Sequence, residues 1–166
     1  MAIRILIADR QDMFREVLKR LLELEEDFTV VGDTGDGEKL VKLVKKHKPD
    51  VMLLDLVLHK QNAIEVLRQV SALNVDVRSI LLTDTIEKGD MLHALLCGAR
   101  GVSLKEESTH LLYKSIRAVM AGEYWVSRNG IGDLVQNLQS LTLKAARNAR
   151  IQVNNLELCV TAVTGD

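Results

Sequence analysis

The stretch IRILIADRQDMFREVLKRLLELEE, Ile3 to Glu26, decides the fold. Its first six residues form a dense apolar run without clean alternation, the pattern of a strand buried on both faces. The run stops abruptly at Asp9-Arg10. From Asp12 onward the spacing becomes helical, with Phe14, Val17, Leu18, Leu21 and Leu22 on one stripe. Asp12 is placed to cap that helix. A buried strand feeding an amphipathic helix is the opening of a strand-helix-strand unit.

The same alternation continues along the chain. FTVVGD leads to EKLVKLVKKH, where Leu40, Leu43 and Val44 form a stripe and Pro49 ends the connection; VMLLD then leads to AIEVLRQVSAL. RSILLTD precedes DMLHALLCGA, and GVSLK precedes THLLYKSIRAVMAGE, so five strand-helix pairs are complete by about Gly122. Parallel neighbours need crossover helices, and such crossovers are almost always right-handed. The expected class is α/β, a doubly wound parallel sheet with helices on both faces. From Glu123 the pattern breaks: Tyr124 and Trp125 are followed by an amphipathic segment with Leu134, Val135, Leu138 and Leu141, then by KAARNARIQVNN, which is poor in apolar residues. The latter reads as a linker or an extended helix.

The chain has 166 residues, enough for one ordinary core and an appendage. Its 22 basic and 23 acidic residues leave a net charge of −1, so any nucleic-acid or membrane partner must be argued from a local feature. Cys97 and Cys159 are too far apart in sequence to suggest a disulfide framework or a zinc cluster, which fits a reducing cytoplasm. No apolar run approaches the roughly 20 residues of a membrane helix.

In an open parallel sheet, chemistry gathers beyond the carboxyl ends of the strands. Those ends carry Asp9 and Arg10, Asp55, Thr83 and Asp84, and Lys105. Asp55 is the sharpest of these, because VMLLD runs on into the apolar LVL and a carboxylate there is costly unless solvated, paired or metal-bound. A carboxylate near a cation can attack a phosphoryl group, while a hydroxyl and an ammonium can hold its oxygens.

ILIAD, VMLLDLVL, ILLTD and GARGVSLK, in this order and at these spacings, resemble the receiver domain of a bacterial two-component response regulator. FREVLKRLLE and SIRAVMAGEYWVS resemble the NarL/FixJ branch, whose members usually carry a LuxR-type helix-turn-helix. The resemblance implies a flavodoxin-like five-stranded sheet of order 2-1-3-4-5. It also implies residues 1–127 as receiver, 128–150 as a linker with an amphipathic helix, and 151–166 as the truncated start of the DNA-binding domain. By the same resemblance Asp55 is the phosphoacceptor, Thr83 the switch hydroxyl and Lys105 the phosphoryl-contacting lysine. Mg2+ would be held by Asp9, Asp55 and the Val57 carbonyl. The implied partners are a histidine kinase, a second copy of the chain, and DNA through the missing domain, all in the cytoplasm and away from membranes.

Several positions depart from that pattern. Arg10 stands where the family has a second magnesium-binding acid, which changes the local charge by two units. At about 4 Å and an effective dielectric of about 20, each unit pair is worth roughly 4 kcal/mol before desolvation. Arg10 could pair with Asp55 or Asp84 and fill the metal's place, hold phosphate with its fork, or face solvent. Asp84 replaces a small residue and would crowd a phosphoryl donor, Val102 replaces the aromatic switch residue, His59 a common proline and Ala63 a glycine.

Three function classes follow. The first is a phosphorylation-controlled transcriptional regulator, not an enzyme beyond self-catalysed phosphoryl transfer. The second is an atypical, phosphorylation-independent receiver acting as a dimerisation or interaction module, with Arg10 replacing the metal. The third, an enzyme proper, finds no Gly-rich nucleotide loop, no Ser-His-Asp order, and Val57 where an aspartyl-phosphate phosphatase carries an acid. Lys144, Arg147 and Arg150 are too few for sequence-specific DNA binding.

Overall fold

The computed structural model describes residues 1–85, 87–126 and 128–164. Five strands and five helices alternate: β1 (Ile3–Ala8), α1 (Asp12–Leu22), β2 (Phe28–Thr34), α2 (Gly37–His47), β3 (Val51–Asp55), α3 (Ala63–Ser71), β4 (Arg78–Thr83), α4 (Lys88–Leu96), β5 (Ala99–Leu104) and α5 (Thr109–Met120). All strand pairs are parallel, in the order β2-β1-β3-β4-β5 expected from the sequence. The central strands are apolar throughout because both faces are covered. Ile5, Ile7, Leu53, Ile80 and Leu82 pack with Leu18 and Leu22 of α1 and Ile116 and Val119 of α5. The alternate residues Leu6, Met52, Leu54 and Leu81 are equally buried, as are Leu40, Val44, Val66, Leu67 and Met91 of α2, α3 and α4.

One local expectation is corrected. Asp12 does not cap α1; it is the first helical residue, Gln11 holds the N-cap position without a side-chain bond, and Asp12 pairs with Arg15 at 2.6 Å. The turn before α1 is closed instead by Asp9, whose Oδ1 accepts the Gln11 N–H at 2.8 Å, the local side-chain-to-backbone pattern that aspartate favours. His59, where a proline is common, is held through its backbone. Its N–H donates to the Gly35 carbonyl at 2.9 Å and its own carbonyl accepts from Gly37 at 3.1 Å, bonds that a proline at this position could not complete.

These bonds fasten the loop after β3 to the start of α2. Lys60, in the left-handed region at φ 68°, adds an ion pair to Asp36 at 2.8 Å. The approach is close because residue 37 lacks a side chain: a Cβ there would lie 2.8 Å from Gln61 Cβ. On the far edge of the sheet, Trp125 joins β5, donating its N–H to the Arg100 carbonyl at 3.0 Å and accepting from Val102 at 2.9 Å.

Residues from Arg128 form a second unit, the single helix α6 (Arg128–Thr164). The amphipathic segment expected near 131–141 is its first part, and Ile131, Val135, Leu138 and Leu141 are each about half exposed, at 52, 49, 51 and 47%. Residues 151–164 continue the same helix, while Gly165 and Asp166 lie outside the described residues.

Gly37→Ala should lower stability by about 1–3 kcal/mol through overpacking against Gln61. A urea titration reads the loss, and amide exchange should speed up at His59; an unchanged midpoint would mean that Gln61 yields freely.

Candidate functional site

The site is built from the carboxyl ends of β1, β3, β4 and β5. Asp9 follows β1, its N–H donating to the Thr34 carbonyl at 3.1 Å and its carbonyl accepting from Arg15 Nη1 at 2.5 Å, so its backbone is held from two sides. Asp55 is the last residue of β3 and still lies in the ladder opposite Leu82. Thr83 ends β4, and Lys105 follows β5 with its N–H donating to the Thr83 carbonyl at 2.9 Å.

Strand register brings the side chains together. Lys105 Nζ lies 2.6 Å from Asp9 Oδ2 and 3.4 Å from Asp55 Oδ1, and all three side chains are nearly dry, at 6, 2 and 8% exposure. The ring of Phe14 shields the ammonium from the α1 side, its centre 4.7 Å from Nζ. The contact with Asp9 is an ion contact only: Oδ2 is buried and no hydrogen-bond donor is aligned with it. One cation therefore serves two buried carboxylates.

The consequence appears at Asp55, whose carboxyl is pushed above the ordinary aspartate range. Burial is the main cause and the neighbouring Asp9 charge the second, with Lys105 pulling the other way. Thr83 is buried, but its hydroxyl donates to the Thr85 carbonyl at 2.7 Å and must rotate before it can serve a ligand in the cleft. Arg10, Gln11, Asp55, Val57, Thr83, Asp84 and Lys105 line a cleft of about 180 Å³.

Six of the seven residues singled out from the sequence line this cleft, and the seventh, Asp9, reaches it through Lys105. Of the places open to Arg10 from the sequence, pairing with Asp55 or Asp84 is not the one observed. Arg10 is exposed at the rim and, among the described residues, forms no ion pair with Asp55 or Asp84. The place between the two carboxylates is taken by Lys105, which follows β5 beside them. Val57 is 47% exposed and Asp84 is exposed. No group of three or more His, Cys, Asp or Glu stands together among the described residues.

Two contributors escaped the sequence reading. Phe14 was assigned to the core stripe and also covers the ammonium. Arg15, which braces the Asp9 carbonyl, Asp12 and Asp33, was signalled only by its i,i+3 spacing from Asp12.

Residues 5–117 match the family model described as the response regulator receiver domain. The transcriptional regulatory protein DegU of Brevibacillus brevis is 34% identical over 139 residues, which are 84% of this chain and 59% of that protein. The chain thus spans about three fifths of that relative. Among solved structures, a LuxR-family two-component response regulator from Aurantimonas superposes with a TM-score of 0.76 at 25% identity, covering 82% of this chain and 98% of that one. The receiver domain of a Mycobacterium tuberculosis NarL response regulator gives 0.71 at 30% identity, covering 74% and 98%.

The raised Asp55 carboxyl sets a pH dependence. The folded chain keeps this proton to higher pH than the unfolded chain, so its contribution to stability is fully present below the ordinary aspartate range and is lost as pH rises through the raised value. Asp55→Asn should therefore melt at a higher temperature than the parent near neutral pH, and the gap should close as pH falls toward 4. Parallel thermal melts across that range test it; a gap independent of pH would refute the assignment.

Proposed function

Because this chain belongs to the response regulator receiver family and is the receiver domain of a two-component transcriptional regulator of the NarL and LuxR type, we propose that Asp55 is its phosphoacceptor, loaded by a histidine kinase. The observation that carries the reading is the buried Asp55 carboxyl, 3.4 Å from the shared Lys105 ammonium and lining an open cleft with Thr83. In the transfer, an Asp55 carboxylate oxygen forms a bond to phosphorus while the bond from phosphorus to the donor nitrogen breaks, its electron pair leaving with the nitrogen. Lys105 stabilises the incoming charge. Its ammonium then turns from Asp55 to a phosphoryl oxygen while keeping Asp9. Thr83 exchanges its bond to the Thr85 carbonyl for one to another phosphoryl oxygen.

Magnesium is the cofactor that the family implies, and the donor set suits it. Asp9 Oδ2 is a buried carboxylate oxygen without an aligned donor, Asp55 lies across the same ammonium, and Val57 lines the cleft. Two carboxylates are what magnesium usually takes from a protein. Asp9, Asp55 and the Val57 carbonyl would hold it, and bound there it would neutralise charge on the phosphoryl oxygens. Lys105, not Arg10, lies between the carboxylates, which argues against a permanently metal-mimicking, phosphorylation-independent state.

The output proposed is DNA binding, as the resemblance to LuxR-type regulators implies. Residues 1–127 are the receiver, 128–150 the connecting segment and 151–166 the beginning of a LuxR-type DNA-binding domain, with the protein acting in the cytoplasm as a homodimer. Among the described residues no helix is long and apolar enough to cross a membrane.

Intact mass after incubation with acetyl phosphate tests the acceptor. One added phosphoryl group is expected on the parent chain and none on Asp55→Asn. Lys105→Ala should slow loading by about 100-fold or more, the usual effect of removing one electrostatic stabiliser. Addition to Asp55→Asn at the parent rate would exclude Asp55.

A further inference from the structure

In seven arginines of the receiver other than Arg10 the guanidinium has a partner: Arg4 the His47 backbone carbonyl, Arg15 Asp12 and Asp33, Arg20 Glu16, Arg68 His93, Arg78 Asp76, Arg100 the Tyr124 ring and Arg117 Asp27. Arg10 has none among the described residues, although it borders a cleft lined by two aspartates. An arginine beside carboxylates is usually drawn into a bidentate pair. Here Asp55 is already committed to Lys105 inside the cleft, and Arg10 is exposed among the residues that line it.

We propose that Arg10 is a phosphoryl-binding residue, whose guanidinium takes oxygens of the phosphoryl group on Asp55 and makes loading of this receiver only weakly dependent on magnesium. The inference rests on Asp55 being the acceptor. Once Asp55 becomes an acyl phosphate its own charge is gone, but the phosphoryl group brings two, beside the charges of Asp9 and Asp84. Lys105 offsets one of these while still holding Asp9 at 2.6 Å. A second cation is needed, and Arg10 is the only other basic residue lining the cleft among the described residues. Its planar fork suits two phosphoryl oxygens, which a point charge does not. The volume of about 180 Å³ is several times that of a water and admits the group. Arg10 thus supplies part of the positive charge that the metal would bring to the phosphoryl group.

Phosphoramidate is the donor for the test, applied to the full chain with excess magnesium or with chelator. The Asp55 carboxylate attacks phosphorus, the phosphorus–nitrogen bond breaks, and the nitrogen leaves as ammonia with the electron pair. Chelation should slow the parent chain by less than about tenfold, whereas Arg10→Asp should fall by about 100-fold or more and recover with magnesium. Arg10→Lys, keeping charge without the fork, should fall between them. Fluorine NMR supplies a readout independent of turnover: trifluoroberyllate should bind the parent chain under chelator and be lost in Arg10→Ala. If chelation abolishes loading and trifluoroberyllate binding in the parent chain as fully as in Arg10→Asp, Arg10 is a solvated side chain and the proposal fails while Asp55 remains the acceptor. If neither chain gains a phosphoryl group in either condition, the acceptor assignment fails and the proposal with it.

Discussion

One ammonium shared between two buried carboxylates is the constraint on which the receiver depends. Asp9, Asp55 and Lys105 leave three different strands, and Nζ reaches both acids only because the strands end level: Ala8 lies beside Leu54 and Thr83 beside Leu104. A slip of one residue in any pair would turn the side chain to the other face. Removing one partner of a buried pair typically costs about 3–5 kcal/mol, so the charges enforce register as strongly as the apolar strands do. The imbalance of two acids to one base also keeps the site receptive to a further cation or to conversion of Asp55 into a neutral acyl group.

The sequence made the architecture legible for a simple reason. Strands covered on both faces must be nearly continuous apolar runs, and the helices between them must show a stripe, so β1, β3 and β4 announce themselves. The convergence of Asp9, Asp55, Thr83 and Lys105 was equally legible, since it follows from parallel topology alone. Side-chain pairing was not. Spacing cannot reveal that Lys105 reaches Asp9 more closely than Asp55, or that the Thr83 hydroxyl rests on the Thr85 carbonyl.

Local backbone chemistry was the other blind spot. Asp12 in front of a helical stripe has the composition of a cap, yet Asp9 closes that turn from inside the site. His59 stands where a proline is common, and its contribution is an amide hydrogen that pairs with Gly35. Both cases show an ionisable side chain drawing notice while its neighbourhood is shaped by main-chain bonds. Arg10 is the opposite case, a residue whose backbone is unremarked and whose side chain has no structural employment among the described residues.

Trp125 gives the sheet a boundary different from that of the family match. The matched segment stops at residue 117, but Trp125 pairs with Arg100 and Val102 beyond it, occupying main-chain groups that β5 would otherwise present to solvent. An open strand edge is a template for association with other chains. A fragment cut at residue 117 would shorten α5 and expose that edge, so the smallest receiver with a covered β5 extends past Trp125.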